Sequence, residues 1–172
     1  MSAARRKRKR DCGPVSALRW TVLAIGGLLV SVFLQPGALA ATTEWVVANR
    51  HTGLAISGFD PVAYFVDGGP REGWAEIELS HSGVIWRFRN AGNRDAFLRH
   101  PDIYRPCYGG YDPTSVAEGF SAAGHPAIWL VRHERLYLFR SDAARRAFQR
   151  NPDRVIRDAD RRWPGIMRRP SP

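Results

Sequence analysis

The side chains with the widest chemical reach lie between Tyr104 and Asp112. The run Tyr104-Arg105-Pro106-Cys107-Tyr108-Gly109-Gly110-Tyr111-Asp112-Pro113 holds three tyrosines, a thiol and a carboxylate. Glycines let a backbone come close, and tyrosines carry apolar area with a polar tip, so the stretch suits a ligand pocket or a tight turn under packed rings. A thiolate is a soft metal ligand, and Cys107 with Asp112 and His125 is the candidate copper or zinc set. The histidines His51, His81, His100, His125 and His133 stand apart, without the spacing of a zinc or copper motif, and fit solvated or capping roles. No nucleophile elbow, phosphate loop or His-x-x-x-His pair is present, which argues against an enzyme.

A second group lies upstream, in Gly58-Phe59-Asp60-Pro61 and the apolar, aromatic stretch that follows it. Asp60 before Pro61 is a turn or helix-start signal, with a carboxylate able to accept from freed amides. Asp60, Tyr64, Tyr104, Tyr108 and Tyr111 form the candidate ligand-binding set.

The elements that position these residues are written twice. Val84–Asp102 and Arg135–Asp153 align without a gap, and eight of the seventeen positions from Trp86 to Asp102 are identical to those fifty-one residues later. Val84, Trp86 and Phe88 alternate with Ile85, Arg87 and Arg89, the period of a half-buried strand. Asn90, and Ser141 in the second copy, are N-cap residues, and the helix after each stops before Pro101 or Pro152. Strands over Trp74–Leu79 and Ala127–Val131 lead into the two copies as hairpins, with Glu76 and Glu78 facing Arg87 and Arg89. Asp112 with Pro113 opens a short helix over Thr114–Glu118 that Gly119 ends. A last helix is expected over Pro152–Arg161. The expected fold is α+β: a small single domain of β-hairpins, each followed by a helix, with a degenerate internal repeat.

The first forty residues read as a targeting segment. Six Lys and Arg from Arg5 to Arg10 precede a largely apolar run of fourteen, Thr21–Leu34, and Ala38-Leu39-Ala40 fits cleavage before Ala41. If uncleaved, residues 18–39 make a membrane anchor. Residues 41–53 read as a linker, 54–164 as the domain and 165–172 as a basic tail. The segment takes seven of the 26 Lys+Arg and one of the 16 Asp+Glu, so the net charge falls from +10 to +4. That excludes the clustered basic face of a nucleic-acid binder. Cys12 leaves with the leader, so Cys107 is then the sole thiol and no internal disulfide can form.

Several motifs together resemble the YHS domain family. Gly58-Phe59-Asp60-Pro61-Val62-Ala63-Tyr64-Phe65 resembles its opening motif. Trp86-Arg87-Phe88, Asn93-Arg94-Asp95-x-Phe97 and Pro101-x-x-Tyr104 are similar to its strand, helix and closing tyrosine. Tyr108-Gly109-Gly110-Tyr111, Leu136-Tyr137-Leu138 and Ala159-Asp160-x-x-Trp163-Pro164 are similar to its exported, single-domain branch. The resemblance spans roughly Ile56 to Pro164, and implies a small α+β domain of a kind proposed to bind metal through cysteines. Here Ala63, Arg89 and Asp112 stand where metal-binding or exported relatives place cysteine. The expectation is an exported, non-catalytic YHS-like binding or accessory domain without a cofactor, periplasmic or secreted. Its partner would be a protein or small ligand, and it would touch a membrane only through the N-terminal segment. The alternative is a periplasmic copper or zinc protein with a non-standard site.

Overall fold

Two hairpins, each running into a helix, carry the architecture of the computed structural model, which describes residues 45–168. The targeting segment lies outside the described residues. Strands β1 (Trp74–His81) and β2 (Val84–Phe88) form one antiparallel pair, and β3 (His125–Arg132) and β4 (Arg135–Phe139) form the other. Helices α2 (Ala91–Arg99) and α5 (Asp142–Arg150) follow them, capped by the side chains of Asn90 and Ser141, which accept from Asn93 N and Ala144 N. Short helices α1 (Ala63–Val66), α3 (Pro101–Tyr104) and α4 (Pro113–Glu118), with a sixteen-residue α6 (Pro152–Met167), complete the fold. It is the α+β arrangement of hairpins and helices expected from the repeat.

The repeat reaches further back than its strands and helices. Ile56, Ser57 and Gly58 all have positive φ (42°, 57° and 81°), and so do Tyr108, Gly109 and Gly110 (53°, 62° and 90°). Each triplet bends the chain into an Asp-Pro step at the same point. In each half the aspartate amide then donates to a carbonyl further on, Asp60 N to Arg71 O and Asp112 N to Ala122 O, both 2.8 Å. The strand-leading glycines close the loop: Gly73 N donates to Gly58 O and Gly124 N to Gly110 O, both 2.9 Å. Both hairpins also shift register at equivalent places, between Trp74 and Glu78 and between His125 and Trp129. The shift in β1 leaves Glu78 paired with Arg87 at 2.8 Å, whereas Arg89 lies over the Trp74 ring instead of facing Glu76.

Strand β4 stands between two cores. Leu136 and Leu138 join Val46, Ile56, Tyr64, Trp86, Phe88 and Phe97 on one side, while Tyr137 and Phe139 join Tyr108, Val116, Phe148, Ala159 and Ile166 on the other. Both β4 faces are buried, so its sequence is almost wholly apolar and aromatic. Each fully buried side chain of this size contributes roughly 1.5–3 kcal/mol.

Two sequence boundaries are corrected. The stretch expected to be a linker is part of the fold: Val46 is buried, Val47 N donates to Gly109 O at 2.7 Å, and Ile56 N donates back to Val47 O at 3.0 Å. The final helix does not stop at Arg161. It runs through Pro164 to Met167, because Ile166 and Met167 are buried and hold its end against the domain. Among the described residues, no helix is long and apolar enough to cross a membrane.

Candidate functional site

Cys107 sits at the start of the second left-handed turn, 6% exposed, and its Sγ accepts from Arg135 Nε at 3.1 Å. The Tyr137 hydroxyl lies on the same side of the sulfur and interacts with it electrostatically. Arg135 and Tyr137 are two apart on β4 and therefore share a strand face, which points both at the thiol. Beside them the Tyr108 hydroxyl donates to Asp160 Oδ1 of α6 at 2.9 Å. Trp163, one turn further along α6, lies edge-on to Tyr108 with ring centroids 5.7 Å apart, and 5.9 Å from Tyr111. The result is two polar pairs side by side, Arg135 with the buried thiol and Tyr108 with the exposed Asp160, the Tyr108 and Tyr137 rings lying 6.4 Å apart between them.

The first half supplies an internal comparison. Where the second has Cys107, Tyr108, Arg135 and Tyr137, the first has Ala55, Ile56, Val84 and Trp86. The same backbone thus packs an ordinary apolar core in one half and a titratable cluster in the other. Only the second half has a long helix, α6, to close over the cluster.

Burial pushes the Cys107 thiol above its ordinary range, and the Arg135 guanidinium only partly offsets this. Burial likewise raises the Tyr108 hydroxyl, reinforced by the Asp160 carboxylate, and the Tyr137 hydroxyl, reinforced by Cys107. At neutral pH the sulfur is a protonated thiol, a weak nucleophile and a weak acceptor. The cluster is suited to hydrogen-bonded recognition rather than to covalent attack.

The structure places the other expected ligand residues differently. Asp60 is completely buried, and both its oxygens serve the protein. Oδ1 accepts from Val62 N (2.8 Å) and Ala63 N (3.3 Å), and Oδ2 from Arg89 N (2.8 Å) and Asn93 Nδ2 (2.6 Å). Tyr64 is also buried, with its hydroxyl donating to Pro126 O at 2.9 Å and its ring edge-on to Trp129. Tyr64 thus joins the halves of the fold, whereas Asp60 ties its turn to the hairpin and helix of the first half. Tyr104 packs edge-on against Phe65 at 5.4 Å. Of the five, Tyr108 and Tyr111 belong to the cluster under α6.

The three expected metal ligands are turned to three different partners. The Cys107 sulfur takes the Arg135 guanidinium. Asp112 Oδ1 accepts from Thr114 N (2.8 Å) and Oγ1 (2.7 Å), and Oδ2 from Arg140 N (3.2 Å). His125 Nδ1 accepts from Ala127 N at 3.1 Å. A cation beside a neutral thiol, and a carboxylate already filled by donors, do not fit a copper or zinc site as arranged. Among the described residues, no three His, Cys, Asp or Glu side chains converge as a metal set.

Arg135, Tyr137, Asp160 and Trp163 were not singled out as site residues by sequence. The signal for the first two lies in the repeat itself, where an arginine and a tyrosine replace Val84 and Trp86 on one strand face. Compared with protein-family models, curated proteins and solved structures, the chain matches none.

Proposed function

We propose that this protein is an exported, non-catalytic binding or accessory domain of YHS type, whose binding face is the surface where α6 closes over Cys107, Tyr108 and Tyr111. One observation carries the reading. Polar and titratable side chains occupy the second half at positions where the first half builds an apolar core on the same backbone. A buried polar network of this kind costs stability unless every member is satisfied. Here Asp160, which holds the Tyr108 hydroxyl, reaches solvent beside the half-buried Trp163. The neutral thiol, hydrogen-bonded to Arg135, supports recognition over catalysis, and the basic, apolar N-terminal stretch supports export.

The deciding experiment uses untagged protein recovered from the exported fraction. Mass spectrometry is expected to give Ala41 as its first residue, and metal analysis is expected to give less than stoichiometric copper or zinc. Trp163→Ala and Asp160→Asn are expected to lose a co-purifying ligand or partner that the wild type retains. Stoichiometric copper or zinc, lost in Cys107→Ser, would overturn the reading in favour of a metal protein.

A further inference from the structure

Away from the Cys107 cluster, a cavity of about 350 Å³ opens where the end of β3 meets the junction of α5 and α6. Its lining is Leu130, Val131, Arg132, Phe148, Gln149 and Pro152. The size falls at the lower end of small-ligand pockets, which span roughly 300–1,000 Å³. Four apolar walls with one cation and one carboxamide are the composition of a site for a small amphipathic molecule.

The internal repeat shows why the space exists. The equivalent residues in the first half are Leu79, Ser80, His81, Phe97, Leu98 and Pro101. There the His81 ring stands edge-on to Phe97, with centroids 5.6 Å apart. In the second half Arg132 replaces that histidine, and its guanidinium turns out to Asp153 Oδ1 at 3.1 Å. The space left by the missing ring lies between Leu130 and Pro152 above Phe148, which is itself buried under Tyr137 and Phe139, and Gln149 replaces Leu98 at the rim.

Arg132 also retains an unused donor. Its Nε is buried and has no hydrogen-bond partner. A buried donor without an acceptor is costly, and a carboxylate oxygen would satisfy it with a charge-assisted bond. Nη2 is held only by Asp153, a carboxylate 67% exposed, so a ligand carboxylate can take Nε and Nη2 side-on as Asp153 swings into water. Arg150, in the last turn of α5, adds a second cation close in sequence to Pro152.

We propose that this cavity binds a small monocarboxylate with an apolar body, its carboxylate on Arg132 and its body between Leu130, Val131 and Pro152. The proposal goes beyond the reading of the α6 face and does not depend on it, since none of the lining residues is Cys107, Tyr108, Arg135, Tyr137 or Asp160.

The test is an NMR titration of the full-length protein with 4-phenylbutyrate, alongside its amide. Saturable shifts at Leu130, Val131 and Gln149 are expected, with the amide bound at least about tenfold more weakly. Arg132→His places the first half's residue in the second half and is expected to fold, fill the space as His81 does beside Phe97, and lose the binding. Asp153→Ala, which removes the competing carboxylate, is expected to bind as tightly as wild type or more so. Absence of saturation, equal binding of acid and amide, or undiminished binding by a folded Arg132→His would each overturn the proposal. A failure here would leave metal content and ligand retention at the α6 face unchanged, so the two proposals fall separately.

Discussion

Asp60 and Asp112 hold the same post in the two halves of the fold. Each uses one oxygen to cap the turn or helix after its own Asp-Pro step. Each uses the other oxygen to receive the amide just past the second strand of its hairpin, Arg89 N at 2.8 Å and Arg140 N at 3.2 Å. Both carboxylates are completely buried. The motif that looks most like a ligand site in sequence is thus the clamp that joins each turn to its hairpin.

The clamp predicts unequal effects for the same substitution. In Asp60→Asn the new amide nitrogen would face two donors, Arg89 N and Asn93 Nδ2, or else Val62 N and Ala63 N if flipped. Either way buried donors go unsatisfied, at roughly 1–3 kcal/mol each, so a loss of about 2–4 kcal/mol is expected. Asp112→Asn can keep its oxygen on Thr114 and gives up the longer contact with Arg140 N at 3.2 Å and the half-exposed ion pair with Arg140 Nε at 3.5 Å, so about 1–2 kcal/mol is expected. Urea denaturation of both variants checks the order. Equal losses would refute the distinction drawn between the two posts.

The thiol gives a pH signature. A buried group whose titration is pushed upward favours the folded state while it stays protonated. Its contribution is intact below the unfolded value, about 8.5 for cysteine, and declines as pH rises from there toward the higher folded value. Wild-type stability is therefore expected to fall above about pH 8.5, by no more than about 1.4 kcal/mol per pH unit from this group. Cys107→Ser, which keeps a hydrogen-bonding atom beside Arg135 without a titrating thiol, is expected to hold level until the buried tyrosines begin to add their own loss, near pH 10. Melting temperatures between pH 7 and 11 decide this, and parallel curves for both proteins would refute it.

What sequence made legible was local. Strand alternation in Val84–Phe88, the Asn90 and Ser141 caps, the Gly119 stop and the helix ends before Pro101 and Pro152 all rest on neighbours within a turn or two. What it left hidden was long-range. The contact of Arg135 with Cys107 joins residues 28 apart, and that of Tyr108 with Asp160 joins residues 52 apart, so no periodicity announces either. The two left-handed triplets were hidden for another reason. Ile56 and Tyr108 are residue types that disfavour positive φ, and only the tertiary pairing of the turn with Val47 and the hairpins holds them there. The misplaced linker follows from the same cause, since Val46 looks like any exposed valine until Gly109 is beside it.

Helix α6 should respond to change in opposite senses at neighbouring sites. Trp163→Ala removes ring contacts to both Tyr108 and Tyr111, and a loss of about 2–3 kcal/mol is expected for this half-buried tryptophan, below the fully buried range. Two residues later, Gly165 lies inside the helix with open space where a Cβ would stand. Gly165→Ala is expected to gain about 0.5–1 kcal/mol from helix propensity alone. A double variant close to the sum of the two in thermal denaturation would show that the sites act independently. A gain in Trp163→Ala would refute the closing role of α6.

The left-handed turns allow a reciprocal exchange between halves. Ser57 and Gly109 occupy the same step, with φ of 57° and 62°. Ser57 is exposed and its side chain accounts for no interaction that the turn requires, so glycine would relieve the left-handed cost of roughly 1–2 kcal/mol while adding about 0.5–1 kcal/mol of unfolded-state entropy. A net gain of up to about 1 kcal/mol is expected for Ser57→Gly. The reverse change has no such freedom. A Cβ on Gly109 would lie 2.0 Å from the Trp45 carbonyl oxygen, so the segment that donates Val47 N to Gly109 O must move away. Gly109→Ser is expected to cost more than about 2 kcal/mol and to release amide protection at Val47 in hydrogen exchange. Should Gly109→Ser keep both its stability and that protection, the N-terminal segment would not be the part of the fold described here.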